Sequence, residues 1–214
     1  MRPEGDEPTG PRSAHESDIG GDHDTPARLA ARASQPSRTV ATMKTVVLGD
    51  PPPVLASLLA ELKRLGLDRH DEVWHGEYHM APAANINHGL TGAILAALLK
   101  EVARPLDLVV SLEFNLGSPD DFRVPDLGVH RGDPIDTWLP TAAIVVEVRC
   151  PDDETYDKFE FYFEHGGEEI LVADLETETV TWFVRGESAF VAAPRGDLLS
   201  LTTPDVVAAI GWTD

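Results

Sequence analysis

The sequence predicts an α/β domain: a mixed central sheet with helices on its faces and an added antiparallel ribbon at the carboxyl end. Three observations predict it. Apolar runs rich in Val and Ile alternate with segments whose apolar residues recur every three or four positions. Turn residues bracket the runs, with Gly132, Pro134, Pro140 and Pro151 around the central ones. After Gly166-Gly167 the pattern becomes strand after strand.

Taken in order, residues 1–42 are rich in Pro, Gly, Ser, Asp, Arg and Ala and nearly lack large apolar side chains. Such a segment cannot bury enough surface to offset its ordering entropy, so a disordered tail is expected ahead of one domain over 43–214. Met43 stands directly before the first apolar run, Lys44 to Leu48, and is an alternative start. Pro51 to Pro53 lead into an amphipathic helix over Val54–Leu62 that ends near Gly66. Glu72 to Met80 reads as a strand. Asn85 can cap a long helix whose apolar face is Ile86, Leu90, Ile94, Leu95, Leu98, Leu99 and Val102. Three strands follow, Leu106 to Leu116, Val124 to His130 and Ala142 to Arg149, then a helix from about Glu154 to His165. Gly166-Gly167 ends that helix. The rest reads as strands over Glu169–Asp174, Thr179–Val184 and Ala189–Ala192, closed by a short helix from Pro204 to Ile210. No repeat and no second domain is visible.

Composition narrows the class. An apolar fraction of 42% with 25% charged residues is that of a water-soluble globular protein. The single cysteine, Cys150, excludes an internal disulfide framework and points to a reducing compartment. No stretch reaches membrane-spanning length and the first residues lack the apolar core of a signal peptide, so a cytoplasmic protein with no membrane partner is expected. The formal charge of −20 argues against any protein that relies on many phosphate contacts and counterion release. Nucleic acid would bind weakly and locally, with Arg123, Arg131, Arg149 and Lys158 as contacts.

Chemistry concentrates between Arg123 and Lys158. Asp126 follows Pro125 at the start of one apolar run, and Glu147 ends the run Ala143-Ile144-Val145-Val146. A carboxylate buried there without partners would cost several kcal/mol, so each is expected at a strand end facing a cation or donors. Two such acids on neighbouring strands with a basic residue nearby suit a hard divalent ion that keeps part of its water shell, Mg²⁺ or Mn²⁺. The backbone carbonyl of Val148 is a natural further ligand. Each residue also has a structural reading. Asp126 could cap a turn, Glu147 could pair with Arg123 or Arg149, and Lys158 could pair with Glu154 on one helix face. Trp74-His75-Gly76-Glu77-Tyr78-His79 raises a rival, because on one strand His75, Glu77 and His79 share a face and could bind zinc. Cys150 reads as a small buried thiol, Tyr162 as a packing residue, and Asp174 as the organiser of a turn.

The order of these pieces resembles the PD-(D/E)XK nucleases: Pro-Asp, about twenty residues, then Glu-x-basic at the end of an apolar strand. Trp74-His75-Gly76-Glu77, Pro82 with His88, Arg123-Val124-Pro125-Asp126, Val145-Val146-Glu147-Val148, Pro151, Thr155-Tyr156-Asp157-Lys158, Tyr162 and Glu169 to Asp174 together resemble one bacterial branch, the Uma-two restriction-endonuclease-like family. The likeness runs from about Pro53 to Val184.

That resemblance implies a restriction-endonuclease-like fold and a Mg²⁺-dependent endonuclease hydrolysing phosphodiester bonds in DNA. It implies Asp126 and Glu147 as catalytic metal ligands with Glu77 as an accessory acid. The superfamily lysine position, two residues after the glutamate, holds Arg149, which cannot serve as a base but can grip phosphate oxygens. Lys158 matches the helix lysine that replaces it in this branch, so it is expected to stabilise the transition-state charge. His88 matches a family histidine for which a helix-end hydrogen bond is the plain alternative. The rival from another class is a non-catalytic binding or regulatory module that keeps the fold, favoured by the acidic surface and by Arg149. Substrate sequence and oligomeric state, a homodimer included, stay open.

Overall fold

The structure, a computed structural model, describes residues 51–81, 84–151 and 153–212, together with the backbone of 45–47. The expected tail, the alternative start at Met43, and Pro82 lie outside the described residues. All described residues belong to the unit running from Thr42 to Asp214.

The architecture is α/β, with two mixed six-stranded sheets and flanking helices where one central sheet was expected. The first sheet has the order β1-β3-β2-β6-β5-β8, built from β1 (Thr45–Val47), β2 (Glu72–Trp74), β3 (Glu77–Met80), β5 (Asn115–Ser118), β6 (Asp121–Arg123) and β8 (Trp138–Leu139). The second has the order β12-β11-β10-β9-β7-β4. Its members are β4 (Leu108–Leu112), β7 (Leu127–Arg131), β9 (Ile144–Arg149), β10 (Glu169–Asp174), β11 (Thr179–Arg185) and β12 (Phe190–Ala193). Strand β10 pairs parallel with β9, and β11 and β12 continue from it antiparallel. The carboxyl-terminal ribbon therefore extends the second sheet.

Two expected strands are each broken by a turn. His75 and Gly76 have φ of 50° and 85°, so the run from Glu72 to Met80 is a tight hairpin. Glu113, at φ 29°, ends β4 before β5 begins in the other sheet. This break helps to divide the expected single sheet in two. The short strands β6 and β8 were not expected, having too few residues to show a period.

Among the described residues four helices accompany the sheets. Helix α1 (Pro53–Leu65) has proline in its first turn and Gly66 in the left-handed region at its end, and lays no residue fully into the core. Helix α2 (Ile86–Ala103) starts at Asn85, whose side chain accepts from the His88 N–H at 3.0 Å. It buries Thr91, Leu95, Leu99 and Ala103, a stripe at spacing four. Ile86 and Leu90, expected on the buried face, are 78% and 57% exposed, and the covered stripe begins only at Thr91. The expected helix at Glu154 begins as a 3-10 turn, Thr155–Lys158, and continues as α3 (Phe159–Glu164). Helix α4 (Thr203–Ile210) carries a capping box between Thr202 and Asp205. Among the described residues no helix is long and apolar enough to cross a membrane.

The second sheet is apolar on both faces, which is why β9 and β10 read as continuous apolar runs. On one side Ile144, Val146, Val148, Leu127, Val129, Leu171 and Trp182 join Leu95, Leu99 and Val206 in one core. On the other, Val145, Ile170 and Val172 join Phe161 and Tyr162 of α3 and Leu116. Side chains alternate along a strand, so Glu147 shares its face with Val145 and points to the Tyr162 side. That alternation sets the site.

Candidate active site

The register of β7 against β9 matches Leu127 with Val146 and Gly128 with Val145. One step further sets Asp126 beside Glu147, on the same face of the sheet. Asp126 Oδ2 accepts the Val148 N–H at 2.7 Å, which ties the residue before β7 to the strand that carries Glu147. The other oxygen, Oδ1, lies 3.2 Å from His88 Nε2. His88 is thus held twice, by its backbone N–H at the α2 cap and by its ring at Asp126. Burial pushes its imidazole pKa down, but the hydrogen bond and charge of Asp126 outweigh that and leave it raised.

Glu147 is 4% exposed. Its Oε1 accepts the hydroxyl of Tyr162 and lies 3.3 Å from Lys158 Nζ. Lys158, the last residue of the 3-10 turn, is held more closely by Glu72 Oε1 at 2.9 Å. Glu72 is itself buried: Oε1 also accepts the Val124 N–H at 2.8 Å, and Oε2 accepts the Trp74 indole N–H at 2.6 Å. Tyr162 is therefore more than the packing residue expected from sequence. Lys158 pairs with Glu72 and Glu147 and not, among the described contacts, with Glu154.

The charges explain the protonation states. Burial raises the Glu147 carboxyl, Asp126 and Glu72 raise it further, and Lys158 and Tyr162 only partly oppose them, leaving it pushed up to about 8. Burial works against the Lys158 ammonium, yet Glu147 and Glu72 more than offset it and hold the lysine protonated well above its ordinary value. The Tyr162 phenol, raised by burial and then by Glu147, stays a neutral donor. Burial and the neighbouring acids Asp126 and Glu72 thus favour the protonated Glu147 carboxyl, while Lys158 keeps its charge.

The remaining candidates lie elsewhere. Arg149 is on the Glu147 face, but its Nη1 is 2.5 Å from Asp174 Oδ2 and 3.9 Å from Glu176. Asp174 also accepts from the N–H groups of Glu176 and Thr177, so it does organise its turn. Glu77 stands exposed opposite Trp74, and no described contact joins it to Asp126 or Glu147. His75 sits in the hairpin turn with its ring 80% exposed near Asp121 Oδ2, while His79 stacks on Trp74 and lies 3.6 Å from Glu154. The hairpin thus breaks the shared face that the zinc reading required. Arg123 is 2% exposed, with its guanidinium between the rings of Trp74 and Phe161 at 4.5 and 4.0 Å, so it braces the core. Arg131 is held by both oxygens of Glu168. Cys150 is half-buried, accepts a long contact from Asn85, and has its thiol pushed up, chiefly by burial.

Among the described residues no group of three or more His, Cys, Asp and Glu side chains is gathered to cage a metal. Asp126 and Glu147 offer hard carboxylate oxygens on one face, with excess negative charge around them. That donor set fits Mg²⁺ or Mn²⁺, which keep several of their own waters, better than a zinc cage.

Glu72 does not stand out in the sequence because the run Glu72 to Met80 reads as one strand, on which His75, Glu77 and His79 share a face. The usable signal was His75-Gly76, a two-residue turn that makes Glu72 part of a separate short strand.

Comparison with known proteins places the fold and the family. A solved structure of a "putative nuclease belonging to DUF820" from Anabaena variabilis ATCC 29413 is similar, with a TM-score of 0.54 and 17% identity, over 65% of this chain and 90% of that one. At that identity the likeness is one of fold. No curated protein matches the chain. Residues 59–210, from within α1 to the end of α4, match Uma2, described as "Putative restriction endonuclease". Since the match spans most of the sequence and takes in both sheets' central strands, the chain belongs to the Uma2 family.

Proposed function

We propose that this chain is a divalent-cation-dependent endonuclease that hydrolyses phosphodiester bonds in DNA. The observation that carries the reading is the meeting of Asp126 and Glu147 on one face of the sheet beside a half-buried, charged Lys158. Asp126 and Glu147 would hold Mg²⁺ or Mn²⁺. Bound there, such an ion would polarise the phosphodiester and lower the pKa of an attacking water.

The chain's own residues divide the remaining work. Lys158 stays protonated, so it serves as a fixed positive charge and not as a base; it stabilises negative charge on the phosphate in the transition state. Tyr162 keeps the Glu147 carboxylate in one orientation. His88 and the Val148 amide do the same for Asp126. Arg149, tied to Asp174, supports the strand end, and phosphate contact falls mainly to Lys158. Glu77, exposed at the hairpin, takes no part in this reading.

The net charge of −20 favours a second reading, a non-catalytic module that keeps the fold. Nicking of supercoiled plasmid with Mg²⁺ or Mn²⁺ separates the two, with Glu147→Gln prepared in parallel. Activity that needs the cation and disappears in Glu147→Gln supports the enzyme. Equal nicking by both proteins assigns the activity to a contaminant and leaves the non-catalytic reading.

A further inference from the structure

We infer that Glu72 is a positioning residue that holds Lys158 and, through the same carboxylate, fixes the lysine relative to Asp126. The inference rests on the reading of Lys158 as the charge that faces the phosphate. Glu72 Oε1 is shared between Lys158 Nζ at 2.9 Å and the Val124 N–H at 2.8 Å. Val124 lies two residues before Asp126, on the segment that leads from β6 into β7. One carboxylate oxygen thus joins three separate parts of the chain: β2, the Val124–Asp126 corner, and the 3-10 turn ending at Lys158.

The other oxygen, Oε2, accepts the Trp74 indole N–H, so the Glu72 side chain is itself held against rotation. A lysine has a long flexible stem and a point-like charge, and it becomes a preorganised donor only when something fixes its head. Glu147 alone is the weaker anchor. Its Oε1 is 3.3 Å from the ammonium and already accepts from Tyr162, and its carboxylate is also the one wanted for the cation. Glu72 gives the lysine a counter-charge independent of the cation.

The test reads the lysine directly. In the cation-free full-length chain, amine acylation followed by peptide mass spectrometry gives the labelling rate of each lysine. Glu72→Gln keeps the side chain's size and an acceptor but removes the charge. Lys158 should then label about tenfold faster, while exposed Lys63 and Lys100 keep their rates. An unchanged Lys158 rate in folded Glu72→Gln overturns the inference. Trp74→Phe keeps an aromatic ring in place but removes the N–H that holds Oε2, and it should raise the rate in the same direction by a smaller factor. If Glu72→Gln fails to fold, an unchanged rate in Trp74→Phe overturns the inference. In the nicking assay Glu72→Gln should lower turnover with Mn²⁺ affinity held within about threefold, because Asp126 and Glu147 are intact. A parent protein that does not nick defeats the catalytic reading while the labelling result still decides the Glu72–Lys158 tie.

Discussion

Asp126 Oδ2 accepts the backbone N–H of Val148 at 2.7 Å, so the first acid of the site is fastened to the strand that carries the second. Asp126 therefore has a structural duty as well as the proposed cation-binding one. Two substitutions separate them. Asp126→Asn retains a carbonyl oxygen for the Val148 N–H and should leave the cation-free melting temperature nearly unchanged while abolishing Mg²⁺ binding. Asp126→Ala leaves a buried N–H unpaired and should cost about 1–3 kcal/mol, or roughly 2–4 °C per kcal/mol for a chain of this size. Calorimetry with and without Mg²⁺ checks both. Retained Mg²⁺ affinity in Asp126→Asn would remove Asp126 from the cation site.

A second prediction concerns pH. The folded-state pKa of Glu147 is raised, chiefly by burial, from an ordinary 4.5 to about 8. A carboxyl raised on folding favours the folded state while it keeps its proton. Its contribution is full below the unfolded value and is lost as pH rises through the folded one. The cation-free parent should therefore lose melting temperature between about pH 5 and 8 relative to Glu147→Gln, which cannot ionise. Saturating Mg²⁺ at pH 8 should recover part of that loss in the parent alone. A parent that gains on Glu147→Gln as pH rises would show a fully charged, paired carboxylate and refute the assignment.

The fold and the site differ in how far the sequence reveals them. Strands β9 and β10 are buried on both faces, so their Val and Ile runs stand out, and a lone Glu147 within such a run is conspicuous. The period of two then puts Asp126 and Glu147 on one face once β7 and β9 are neighbours. Glu72 was hidden for a local reason: the His75-Gly76 turn reverses the chain after three residues, too few for alternation to declare itself. Arg123 misleads in the other direction. Arginine before Pro-Asp reads as a phosphate contact, yet flanking aromatic rings and the Val73 carbonyl at 2.7 Å draw it into the interior. Which polar residue turns inward depends on partners distant in sequence, and those are set only by the packing of the sheets.

The last prediction sets Lys158 against Arg149. Both lie near Glu147, but their partners differ. Lys158 is anchored by Glu72 and Glu147, the latter a proposed cation ligand, whereas Arg149 spends its closest contact on Asp174 at the strand end. Removing a preorganised donor from the transition state costs on the order of a hundredfold or more in turnover, so Lys158→Ala should nearly abolish plasmid nicking. Arg149→Ala should keep most of the parent's turnover and lose melting temperature instead, because Asp174 and its turn are left without their cation. The parent and Arg149→Ala should both need Mg²⁺ or Mn²⁺. Their activity should change little as salt rises through the physiological range, since an acidic chain makes few phosphate contacts and so releases few counterions. If Arg149→Ala loses turnover as severely as Lys158→Ala at equal melting temperature, the phosphate contact belongs to the strand arginine, and Lys158 is reduced to a counter-charge for Glu72 and Glu147.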